Sequence, residues 1–177
     1  MTENEIKIFT DNLKETLKAI EKFIMASIAA SVFFMILSIT NPALSDKALT
    51  KVPLIAAEAP PWIAGVVALS IYIVAGAFIL LYYRNAQRIS DKLRVEAPGV
   101  YAAAITYPSI MALAPTFRVT VILIVGGLGV LPWLPMYHES RWKVLLVALG
   151  FASPYWLLVC NMIWEAAKER VRSRKQG

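Results

Sequence analysis

Gly150, Ser153, Leu157, Asn161 and Glu165 recur at intervals of three and four residues, the period of one helical face. The chemistry open to such a face is hydrogen bonding in lipid, where an amide or hydroxyl seeks a partner on another helix. Packing within the molecule, docking to another membrane protein and lining a cavity all use it. Ser153 and Asn161 are therefore candidate partner-contact residues. Pro154 lies in the same run and lacks a backbone N–H. It frees a carbonyl that Ser153 or a neighbouring helix can satisfy. Arg118 and Glu165 sit near the ends of apolar runs and form a candidate interfacial ion pair. The alternative is two separate side chains reaching into water.

Bond-making chemistry has less support. The chain holds one His, His138, and one Cys, Cys160. A metal site would need Asp46 or Glu58 beside His138, and typical sites need three or four convergent ligands. Cys160, in apolar surroundings, reads as an inert thiol. There is no Gly-rich phosphate loop, HExxH, GxSxG or CxxC. No catalytic, cofactor-binding or metal-binding residue is assigned, and the expectation is a protein that is not an enzyme. The basic KERVRSRKQG end lacks the aromatic interleaving of a nucleic-acid surface. It fits attraction to anionic lipid.

The elements that carry these residues follow from composition. The 177 residues are 58% hydrophobic and only 17% charged. Soluble domains run at ~45–50% and ~25%. The mean hydropathy is +0.60, and 19.6 kDa offers too little interior to hide that excess. Four stretches predict transmembrane helices: 23–40, 62–83, 119–135 and 144–164, the third barely long enough. Trp62, Trp133, Tyr137 and Trp142 mark one set of ends, and Tyr82, Tyr83 and Trp164 the other. No ionisable residue lies in the central turns, which argues against proton-coupled transport and voltage sensing. The first span is expected to remain uncleaved, because its apolar run exceeds a signal-peptide core.

Lys and Arg orient the bundle. The segments before the first span, between the second and third, and after the fourth hold fourteen. The other two segments hold Lys47, Lys51, Arg141 and Lys143. Basic residues stay inside, so both termini are expected in the cytoplasm of a bacterial inner (plasma) membrane. The segment 84–118 is then a cytoplasmic helix extension followed by an interfacial stretch. Pro98, Pro108 and Pro115 break the uncharged run 97–115, which is expected to lie on the membrane surface or tuck under the bundle. Residues 165–177 form a basic tail. The outer loop 41–61 contains four prolines and is expected to be irregular.

Residues 1–22 carry a patterned stripe. Ile6, Phe9, Leu13, Leu17, Ile20 and Ile24 share one helical face, and Thr2 with Glu5 spells a capping box. No Pro or Gly precedes Pro42, so the helix is expected to run unbroken into the first span. Ala86, Ile89 and Leu93 extend a matching face beyond the second span. The two extensions predict an antiparallel cytoplasmic stalk. Alternatively, the first lies in the headgroup layer as an amphipathic helix. Ile6, Phe9, Leu13 and Leu17 are candidate contacts for a partner. Ser27, Ser31 and Ser38, and Gly126, Gly127 and Gly129, suit close helix packing.

The fold expected is an all-α integral membrane protein, a four-helix bundle with a short helical stalk and no second domain. The function expected is helix–helix contact with a partner membrane protein, of an accessory, assembly, exclusion or immunity type. The alternatives are a homo-oligomeric pore or membrane-disrupting effector and, less supported, a small transporter subunit.

Overall fold

A computed structural model describes residues 2–40, 50–52, 57–104, 115–130 and 141–174. Among the described residues the chain is helical, apart from one two-stranded ladder. Helix α1 (Glu3–Thr40) is followed by strands β1 (Thr50–Val52) and β2 (Ala57–Ala59). Then come α2 (Pro61–Glu96), α3 (Pro98–Ala104), α4 (Pro115–Leu128) and α5 (Arg141–Arg174). Three helical segments are long and apolar enough to cross a membrane: Glu3–Thr40, Pro61–Glu96 and Leu145–Lys168.

Helix α1 is unbroken over 38 residues. Its start is held by the predicted capping box. The Thr2 N–H donates to Glu5 Oε2 at 2.7 Å, and the Glu5 N–H donates to Thr2 Oγ1 at 3.3 Å. These bonds satisfy backbone donors that no carbonyl within the helix can reach. Helix α2 opens with Pro61, whose missing N–H costs nothing in the first turn. It closes at Ala97, whose N–H reaches the Leu93 carbonyl at 2.8 Å, because Pro98 cannot extend the ladder.

Helices α1 and α2 form an antiparallel pair along their whole length. Leu13, Ile20 and Ile24 are buried with Ile79, Ile89 and Leu93, and farther along Phe34 and Leu37 meet Ala64 and Ala68. The two apolar extensions therefore pack on each other, as their stripes predict. Lys92 Nζ lies 4.5 Å from the centre of the Phe9 ring, at the end of the pair away from the β1–β2 ladder. Helix α3 folds back on that same end, with Ala104 buried and Tyr101 packed on the core.

Three boundaries differ from the sequence reading. The loop 41–61 contains an antiparallel ladder, Thr50 to Ala59, Lys51 to Glu58 and Val52 to Ala57. Pro60 falls just outside β2, where its missing N–H takes nothing from the ladder. Helix α4 starts at Pro115 and closes at Leu128, followed by a turn in which the Val130 N–H meets the Gly127 carbonyl at 2.9 Å. Its 14 residues make it a shorter apolar helix than the other three, about 21 Å against a hydrocarbon core of ~30 Å. Helix α5 continues through the basic segment to Arg174, since nothing between Trp164 and Arg174 breaks a helix. The remainder of the expected third span, 131–135, and His138 lie outside the described residues.

Candidate functional site

Four helices converge on two buried tyrosines. Tyr72 on α2 and Tyr155 on α5 are each 1% exposed, with ring centres 4.6 Å apart. Glycines make room for them. A Cβ on Gly76 would sit 2.7 Å from the Tyr155 ring, and one on Gly126 3.1 Å from Tyr155 Cβ. A Cβ on Gly129 would collide with the Tyr72 ring and hydroxyl.

The hydroxyls knit the helices together. The Tyr72 hydroxyl donates to the Val125 carbonyl of α4 at 3.0 Å. Tyr155 Oη lies 2.8 Å from the Tyr72 carbonyl oxygen and 2.6 Å from Ser27 Oγ of α1. It has one proton for two contacts, and Ser27 in turn reaches the Phe23 carbonyl at 2.7 Å. One turn along, Ser31 is buried and its Oγ has no partner. These groups are neutral hydroxyls and carbonyls, suited to joining helices in a medium without water.

Helix α5 has a second, opposite face. Ala148, Ala152, Tyr155, Val159 and Met162 turn inward and are buried. Gly150, Ser153 and Leu157 turn outward and are exposed, and Asn161 is half-buried beside them. A Cβ on Gly150 would meet nothing within 4 Å. Thr10, Ser27, Ser38, Thr40 and Ser70 each return their hydroxyl proton to the carbonyl four residues earlier. Among the described residues, the side chains of Ser153 and Asn161 have no hydrogen-bond partner. Pro154 adds to the deficit, because it has no N–H for the Gly150 carbonyl.

The other candidate contacts are placed differently. Leu13 and Leu17 are buried in the α1–α2 interface, so they serve packing within the chain. Phe9 is half-buried against the same core and Ile6 half-buried near its end. Glu165 Oε1 accepts from Lys168 Nζ at 2.8 Å, one helical turn away. Arg118 is half-buried on α4, with its Nε buried and unpartnered. The structure thus gives Glu165 to its own helix and does not bring it to Arg118. Asp46 and the side chain of Glu58 lie outside the described residues.

Tyr72 and Tyr155 carry no charge, so the charge pattern of the sequence does not single them out. Their signal was position: each lies mid-span, away from the interface where tyrosine usually rests. Searches against protein-family models, curated proteins and solved structures give no match.

Proposed function

We propose that the protein is a small, non-enzymatic membrane protein that works by helix–helix contact, with the outward face of α5 as its contact surface. The supporting observation is the side-chain pair Ser153 and Asn161, exposed or half-exposed on α5 and without a hydrogen bond. In hydrocarbon each unpaired polar group is costly, and a contacting helix removes that cost. The accessory, assembly, exclusion and immunity roles all need such a face. Both termini face the cytoplasm in this reading, supported by the Lys and Arg distribution, with the basic end of α5 against anionic lipid.

Solubilisation from the native membrane in a mild detergent tests the reading. The expected result is a complex heavier than the 19.6 kDa chain, reduced to that chain when Asn161 is replaced by Leu. A monomer in several mild detergents, with no crosslink formed in intact membranes, overturns it.

A further inference from the structure

The outward face of α5 has a donor and acceptor pattern that is complementary to itself, and we infer that a second copy of this chain covers it in a parallel two-fold pair. This rests on the contact reading above and names the partner. Two side chains of the face are without a hydrogen bond, the Ser153 hydroxyl and the Asn161 amide, and the Gly150 carbonyl beside them receives no N–H from Pro154. Around a two-fold axis each residue meets its own counterpart, so a face pairs with itself only if it carries both donors and acceptors. This one does. An amide has both N–H donors and a carbonyl acceptor, so Asn161 can exchange two bonds with Asn161 of the second copy. Ser153 can give its proton to the second copy's Gly150 carbonyl, about one turn away, and the reverse bond forms by symmetry.

The spacing fits the same geometry. Gly150, Ser153, Leu157, Asn161 and Trp164 follow intervals of three, four, four and three, the spacing of a seam between two packed helices. Gly150 leaves open space for a second backbone, and its flank is exposed along Leu146 and Leu157. A different partner would need matching donors in the same register, whereas a second copy supplies them by identity. The parallel arrangement brings the basic ends of α5 together. They lie beyond the hydrocarbon, where charges separated by more than ~8 Å are largely screened at physiological salt.

Single cysteines in the full chain, on a Cys160→Ala background and in native membranes, test the pairing. Oxidation is expected to double the mass for Gly150→Cys, Leu157→Cys and Asn161→Cys, and to leave Ala148→Cys and Ala152→Cys single. Self-association in detergent is expected to fall about tenfold for Asn161→Leu and to persist in Asn161→Gln, which keeps the amide. Equal crosslinking from both faces, or an unchanged association in Asn161→Leu, overturns the pairing. Crosslinks from the outward positions to a protein of another mass also overturn it, while the broader contact reading stands. No crosslink of any kind removes both.

Discussion

Around Leu13 and Leu93, α1 and α2 meet through branched aliphatic side chains; around Ser27 and Tyr72 small residues line both helices, and the Tyr155 hydroxyl of α5 bridges Ser27 Oγ to the Tyr72 carbonyl. The first region carries Lys7, Asp11, Lys14, Glu15, Lys18, Glu21 and Lys22 on α1, charges that keep it out of hydrocarbon. Water is its solvent, so burying leucine and isoleucine is itself a driving force. The second region lies in the apolar runs. Lipid tails are as apolar as leucine, so burial there contributes little, and close backbone approach with interhelical hydrogen bonds takes over. One helix pair is thus held by two different forces along its length.

The comparison is most sharply tested at its aqueous end. Leu13→Ala is expected to lose about 2–5 kcal/mol locally, because the side chain is 2% exposed and leaves a cavity. Hydrogen exchange should open residues near the start of α1 and the end of α2, with the Tyr72 region still protected. Uniform opening of the whole pair would show that the two regions are one cooperative unit.

Gly129→Ala comes next, at the other end of the comparison. Its methyl group would collide with Tyr72, and overpacking of this kind costs about 1–3 kcal/mol. The thermal midpoint in detergent should fall, whereas Gly127→Ala, with open space around it, should leave it unchanged. Equal effects from both substitutions would contradict the close packing at Tyr72.

Tyr155→Phe removes only a hydroxyl. The loss expected is about 0.6–1.7 kcal/mol, the range of hydrogen bonds between membrane helices. Ser27→Ala should cost less once Tyr155 is already Phe, because the two share the 2.6 Å contact. Full additivity in that cycle would separate them.

The smallest effect concerns Glu5. The hydrogen bond from the Thr2 backbone, then the one from its side chain, holds the Glu5 carboxyl below the ordinary carboxylate value. A depressed folded value means the cap is fully effective above the unfolded value. It is lost as pH falls through the folded one. Amide exchange in the first turn of α1 should rise on acidification, and Glu5→Gln should abolish that pH response.

Much of the helical scaffold was legible in the sequence. The unbroken α1 followed from the lack of Pro and Gly before Pro42, and the antiparallel extensions from the matching stripes at Leu13 and Ile89. The capping box was readable from Thr2 and Glu5 alone. Less of the site was legible. A periodic stripe says that Gly150, Ser153 and Asn161 share a face, but not whether that face looks in or out. That depends on which side of α5 packs on its neighbours, and Tyr155 decides it by filling the space left by Gly76 and Gly126. The same ambiguity covered Leu13 and Leu17, since an apolar stripe fits an internal partner as well as an external one. Helix α4 shows the limit for boundaries. Its hydropathy continues past Leu128, but the Gly129 turn ends the helix there.

Helix α1 has no hinge. No Pro, Gly or irregular turn interrupts it from Glu3 to Thr40, so it behaves mechanically as a stiff rod of about 57 Å. A force that tilts or twists the rod near Phe9 has no joint in which to dissipate. It reaches Ser27, where the oxygen is held 2.6 Å from the Tyr155 hydroxyl. Displacement of the charged end is therefore geared to the angle at which α5 leans on α1, and with it to the direction in which Gly150, Ser153 and Asn161 face.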